Sequence, residues 1–176
     1  MTGNTNWTID PGHSEVQFKI KHLAISNVTG KFKVFQGSLM AANDDFDQAV
    51  VQAVIDAGSI DTNNPQRDIH LRSADFLAVE QFPAMQFEGR LQKEAGGYVV
   101  DGELGIREMR RPVRLSAEFS GTATGRFGDI RAGFEITGKI NRKDFGLTWN
   151  ILAEGGGLVV GDDINLHFDI QLIRQG

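Results

Sequence analysis

Apolar and polar residues alternate along most of this chain, most cleanly from Asp129 to Trp149. Ile130, Ala132, Phe134, Ile136, Gly138 and Ile140 share one phase, and Arg131, Gly133, Glu135, Thr137 and Lys139 share the other. A period of two over that length predicts a long strand with one apolar face and one wet face. The alternation stops at a polar corner, Asn141–Asp144. Phe145, Gly146, Leu147 and Trp149 follow at once, as expected at the rim of a β-structure that is packed inside and wet at its lip.

The same period recurs on both sides. In Ser14–His22, Val16, Phe18, Ile20 and His22 share a face, so His22 points with the apolar residues. Leu23–Val28 reads as a short connection of one helical turn. Thr29–Leu39 reads as a strand through Phe32 and Val34, and a phase slip at Phe35 followed by Gly37 predicts a bulge. Further strands are predicted at Ala49–Asp56, Met85–Leu91, Tyr98–Leu104 and Val113–Phe119. In the last strand Ile164, Leu166, Phe168, Ile170 and Leu172 are in phase against the polar His167 and its neighbours. Turns fall at Asp10–Gly12, Asn43–Asp45, Glu94–Gly97, the basic stretch Ile106–Pro112, and Glu154–Gly157. One segment, Ser59–Phe76, has no strand alternation. Asn64 can cap a helix with Pro65 at its first position, which predicts a short helix near residues 64–77. Ile69 and Phe76 are expected to face inward and Arg67, Asp68 and Arg72 to lie near its surface. As the longest non-strand stretch it is a candidate lid.

These elements predict an all-β fold, an extended eight-stranded antiparallel barrel in one domain spanning 1–176, with residues 1–6 polar and frayed. A two-sheet sandwich is the alternative. The inward phase mixes Phe with small residues such as Ala53, Gly89, Gly102, Ala117, Ala132 and Gly138. Either those leave room for a ligand, or Phe side chains from facing strands fill the space.

Composition narrows the function. Formal charge is −5 with both signs interspersed, which does not suggest nucleic-acid affinity. Without cysteine there is no thiol chemistry, disulfide or thiolate metal site. No apolar run approaches the ~20 residues of a membrane helix. The first ten residues show no signal segment, so the chain as written is expected in the cytosol. A chain whose signal had been replaced by a new Met1 would read the same and belong in the periplasm. The content of 21 Gly against only 4 Pro fits many turns and bulges joining strands.

The blocks W-x-I-D-P-x-H-S-x-V-x-F-x-I-x-H (Trp7–His22), V-x-G-K-F (Val28–Phe32), S-I-D-T-x-N-x-x-R-D-x-H-L-R-S-x-D-F (Ser59–Phe76), F-P-x-x-x-F (Phe82–Phe87), R-A-G-F…G-K-I-N-R-K-D-F-G-L (Arg131–Leu147) and V-G-D-D-I (Val160–Ile164) occur in order over nearly the whole chain. On them the chain resembles the YceI-like family of bacterial lipid-binding proteins. The turn LGIREMRRPV, Leu104–Val113, departs from the family pattern by placing Gly105, Glu108 and Arg110 at Thr, Gly and Thr positions. The resemblance implies a lipocalin-like barrel, a long apolar tunnel for an isoprenoid or similar lipid tail, commonly a homodimer, and no resident cofactor beyond such a lipid. A polyisoprenoid, an isoprenoid quinone or a fatty-acid amide would then be bound, stored or transported, with no integral membrane span but with transient membrane contact open.

The expected lining is Phe18, Ile20, Phe32, Val34 and Phe87 from the first half, and Phe134, Ile136, Phe145, Trp149 and Phe168 from the second. The resemblance places His22, Arg67 and His70 around a polar head group. Arg142, one residue past the long strand, is a candidate clamp for a phosphate or quinone oxygen. The plainer reading makes Arg67–Asp68 and Arg142–Asp144 rim ion pairs. A metal site from His13, His22 and His70 requires the fold to bring them together. The basic cluster Arg107, Arg110, Arg111 and Arg114 reads as a solvated turn or, less simply, an anionic-membrane contact. Ser14 beside His13 lacks the context of a hydrolase nucleophile. The competing class is an enzyme on an isoprenoid or quinone-like substrate, with Asp68, His70 or Arg142 as acid or base.

Overall fold

The structure is a computed structural model that describes residues 3–42, 45–150 and 159–176. Its strands are β1 (Thr5–Ile9), β2 (Glu15–His22), β3 (Ser26–Phe32), β4 (Phe35–Ala41), β5 (Ala49–Asp56), β6 (Ile60–Asp61), β7 (Ala84–Glu94), β8 (Gly97–Ile106), β9 (Met109–Thr124), β10 (Ile130–Asn141) and β11 (Val160–Arg174), with one α-helix, α1 (Pro65–Arg72). All pairings are antiparallel. The ladder β1-β4-β5-β7-β8-β9-β10-β11 closes on itself through Trp7 opposite Arg174 and Ile9 opposite Leu172. β2, β3 and β6 continue β1, β4 and β5 beyond three breaks, so the closed wall is eight strands in up-and-down order. The two-sheet sandwich is thereby excluded.

The breaks have local causes. Between β1 and β2, Asp10 caps a single 3-10 turn, Pro11–His13, by accepting from the Gly12 N–H. The long β11 then pairs with β1 at one end and with β2 at the other. Between β3 and β4 the predicted phase slip is a bend at Lys33–Val34. It puts Phe35 inside and turns Val34 out, 57% exposed, so Val34 is not a lining residue. Its N–H donates to Ser59 Oγ and its carbonyl accepts from Asp56 N–H, which holds the bend. Leu23–Val28 is not a helical turn: β3 begins at Ser26. β1 likewise reaches Thr5, because Asn6 accepts from the Gln175 N–H. The basic turn is only Arg107–Glu108 wide, between β8 and β9. The Asn43-Asp44 part of one predicted turn and the Glu154–Gly157 turn lie outside the described residues.

Two apolar clusters close the barrel. Trp7, Phe46, Leu91, Phe134 and Leu172 pack one end; Ile60, Met85, Ile106, Ile140 and Phe145 pack the other. The inward glycines do not create emptiness. A methyl on Gly89 or Gly102 would run into the facing strand and the Phe87 ring, and one on Gly138 into Leu115. These glycines are seats on which larger side chains lie flat against the wall.

An ion network ties the β1–β2 break to β10. Arg131 donates to Asp10 and Gln171 from Nη1 (2.7 and 2.6 Å) and to Asp129 from Nε (2.6 Å). Arg131, with His13 also on Asp10, holds the carboxyls of Asp10 and Asp129 below their ordinary value. Folding lowers both pKa values, so this stabilisation is full above the unfolded value of ~3.9 and is lost as pH falls through the folded ones. The thermal midpoint should drop through that acid window, and Asp10→Asn should flatten the drop. A melting profile of Asp10→Asn parallel to the parent would refute the assignment.

Candidate functional site

Inside the barrel are two cavities of ≈330 and ≈130 Å³. They share Val16, Ile55, Leu104, Leu166 and Phe168 as wall, so they adjoin along the axis as two compartments of an apolar tunnel. Its burial pattern is telling. On β11, Leu172 is fully buried, but Ile164, Leu166, Phe168 and Ile170 are only half-buried although they face inward. In a closed barrel that residual accessibility opens onto the tunnel itself.

The larger cavity is lined by Phe18, Ile20, His22, Phe32, Arg67, His70, Arg142, Trp149 and Phe168 among the expected residues, and the smaller by Phe87, Phe134, Ile136 and, again, Phe168. Met85, Leu104, Ile106 and Ile55 also line it; they lie on the inward phase of their strands, a signal the same alternation carries. Phe145 does not line it. It is packed in the end cluster, because the 3-10 turn Arg142–Phe145, closed by Gly146 at φ 75°, folds its ring back under the barrel end.

The mouth is built by α1 and the segment after β10. Asn64 Oδ1 accepts from the Arg67 N–H (3.1 Å) and caps α1 as expected, with Pro65 at the first position. Phe76 is buried as expected, but Ile69 and Asp68 exchange their expected places. Ile69 is 66% exposed and Asp68 is 6% exposed. Asp68 Oδ1 accepts from the Thr62 N–H (3.0 Å) and hydroxyl (2.5 Å), which outweighs burying Ile69. Arg67 donates to the same residue, to Thr62 Oγ1 (2.8 Å) and carbonyl (2.7 Å). The pair therefore grips Thr62 and makes no mutual ion pair. His70 meets Asp75 (2.9 Å) and stands edge-on to Trp149, centroids 4.5 Å apart, with Phe76 beside both. These three rings all line the larger cavity at its α1 end, the position an aromatic gate would occupy.

Arg142 lines the larger cavity, but the donors a head-group clamp would use are committed to the backbone. It is 1% exposed and its donors are taken by backbone carbonyls: Nε by Gly161 (2.8 Å), Nη1 by Leu147 (2.6 Å) and Trp149 (2.8 Å), Nη2 by Val160 (3.4 Å). Its carboxylate neighbour is Asp162 at 3.6 Å, not Asp144. Asn150 adds a backbone-like bridge, donating to the Val160 carbonyl and accepting its N–H. Sequence reasoning missed Asp162, Asn150 and Thr62, since each acts by satisfying backbone groups that no periodicity reveals.

The remaining candidates are dispersed. His13 is bound to Asp10 and His22 stands at the other end of β2, about 25 Å away by strand rise, so the three histidines do not converge. The Arg107–Arg114 cluster is largely internally neutralised. Arg107 reaches the Phe76 carbonyl and Glu108, Arg110 meets Glu103, and Arg114 meets Glu94 and Asp101.

A closed up-and-down barrel with an apolar axial interior defines an internal-cavity binding fold. Residues 7–172 match the YceI-like domain, and the chain belongs to that family. A UPF0312 protein of Serratia proteamaculans is 40% identical over 140 residues, 79% of this chain and 73% of its own. One of Staphylococcus aureus is 35% identical over 164 residues, covering 93% of this chain and 94% of its own. The YCEI protein of Campylobacter jejuni superposes with a TM-score of 0.71 at 29% identity, over 90% of this chain and 91% of its own. A polyisoprenoid binding domain from Saccharophagus degradans shares the fold, with a TM-score of 0.68 at 16% identity over 96% of this chain and 98% of its own.

Proposed function

We propose that the protein binds one long apolar chain in the tunnel and stores or carries it. The ligand class is a polyisoprenoid, an isoprenoid quinone or a fatty-acid amide. The half-buried inward residues of β11 are the observation that carries this reading. They leave apolar surface exposed to an interior that only an apolar chain fills favourably. About twenty buried methylenes at ~0.8 kcal/mol each give roughly 16 kcal/mol gross, part of which ordering the chain removes. Affinity then rests on tunnel length and width. Selectivity for the head group is weak, set by Arg67, His70, Trp149 and His22 at the gate. A polyisoprenoid-binding relative of the same fold supports the ligand class.

The enzyme reading finds less support. Of its three candidate groups, Asp68 is engaged by Thr62, and Arg142, although at the cavity wall, spends its donors on carbonyls; His70 lines the cavity with Asp75 on its ring nitrogen and is the one group left to that reading. Solvent extraction of the protein purified from a bacterial host, followed by mass spectrometry, should return a stoichiometric long-chain lipid. The same lipid should be recovered chemically unchanged after incubation with excess protein. An empty extract, together with no uptake of an apolar fluorophore, would overturn the tunnel reading.

A further inference from the structure

The tip joining β2 to β3 is built against its own turn chemistry. Ile25 N–H donates to the His22 carbonyl (3.2 Å), closing a four-residue turn whose central residues are Leu23 and Ala24, at φ 53° and 60°. Such turns favour Asn and Gly, because side chains with a Cβ are strained at positive φ. Here the tip instead carries apolar groups into solvent: Ile25 is 84% exposed and Leu23 39%. The tip adjoins the tunnel mouth. His22 lines the larger cavity, Leu23 N–H bonds to the Val159 carbonyl, and Val159 lines it too. Ile69 on α1, whose helix contributes Arg67 and His70 to the same cavity, adds a third exposed apolar side chain at this end.

Charge says what covers it. Residues 16–43 contain four lysines and no aspartate or glutamate, in a chain of net charge −5. Lys19, Lys21 and Lys31 are exposed on the outer face of the hairpin, and among the described residues none makes an ion pair. Apolar residues at a tip with Lys21, Lys19 and Lys31 set at increasing distance along the hairpin behind it, Lys31 at the far end beside Asp61, fit an anionic bilayer, where the tip enters the acyl boundary and the lysines face phosphate groups. A second copy of the chain would set like charges together instead.

We infer that the protein docks on anionic membranes through the β2–β3 tip, with Ile69 alongside, so that the gated mouth faces the bilayer and cargo passes without crossing water. The inference rests on the tunnel being the cargo site. The test is flotation with phosphatidylcholine vesicles made with and without phosphatidylglycerol, beside fluorophore uptake in solution. The parent should float with the anionic vesicles. Ile25→Asp should weaken partition about tenfold or more. Lys19→Gln with Lys31→Gln should each remove about fivefold, and only on anionic vesicles. Leu23→Asn with Ala24→Gly should weaken partition while raising the thermal midpoint, since it relieves the positive φ. All these variants should keep fluorophore uptake. Equal flotation of parent and Ile25→Asp, or no flotation of the parent, would overturn the docking. So would a fall from dimer to monomer mass in Ile25→Asp with flotation unchanged, which would assign the tip to a second copy. Loss of fluorophore uptake by the parent defeats the cargo reading instead, whatever the vesicles show.

Discussion

Arg142→Met is expected to cost about 4 kcal/mol of stability and to lower the thermal midpoint by about 10 °C. Methionine keeps the length and apolar stem but removes every donor. The carbonyls of Leu147, Trp149 and Gly161 lose the guanidinium donor, the Val160 carbonyl keeps only Asn150, and the adjacent Asp162 loses its only close cation besides Lys143. Each stranded buried group costs about 1–3 kcal/mol, and water entering at the mouth recovers part. Burial pushes the guanidinium pKa down and Asp162 opposes that, but an arginine stays charged at neutral pH, so the loss includes one of the two cations beside the half-exposed Asp162, which keeps Lys143. Arg142→Lys should fall in between, since an ammonium has three donors and no fork. Trp149, one of the strapped residues, is part of the gate. The same substitution should therefore speed release of a bound apolar fluorophore, read by stopped flow. A variant melting within about 2 °C of the parent would mean that the strap is not held by Arg142.

The barrel was legible because each strand has one buried and one wet face, and alternation is the direct record of that. β10 follows its pattern from Phe134 onward and at Ala132, with Ala132, Phe134 and Ile140 buried and Glu135, Thr137 and Lys139 exposed, while Ile130 at its first position is exposed. The cap of α1 was legible for the same reason, since Asn64-Pro65 is local chemistry. The misses share another cause. Which face α1 buries was decided by Thr62, six residues from Asp68, and the role of Arg142 by carbonyls as far along the chain as Gly161. Those are contacts between segments. A charged residue at a rim reads as a ligand group until the backbone it satisfies is known. Val34 failed for a third reason: a phase slip shows that a strand bends but not which of two neighbouring residues moves to the outside.

Leu166→Trp should separate long ligands from short ones. Leu166 lies where the two cavities meet and belongs to the wall of both, so an indole there plugs the passage and leaves the outer cavity of ≈330 Å³ open. A long-chain ligand is then denied the inner cavity. Losing about four buried methylenes at ~0.8 kcal/mol each is ~3 kcal/mol, roughly 100-fold in affinity. A short apolar probe that fits the outer cavity should bind within about threefold of the parent. Stability should change little, because the added ring enters existing space rather than a packed core, and strain and filling offset to within about 1.5 kcal/mol. Val54→Trp on the outer wall is the control and should leave both ligands unaffected. Titration of a homologous series of chain lengths reads the result directly. In the parent, affinity should climb with each added carbon until the inner cavity is filled. In Leu166→Trp the climb should stop early, at the length that reaches the junction. A parallel climb in both proteins would place the chain elsewhere, and an equal loss for short and long probes would mean that one undivided cavity had been distorted rather than a tunnel blocked midway.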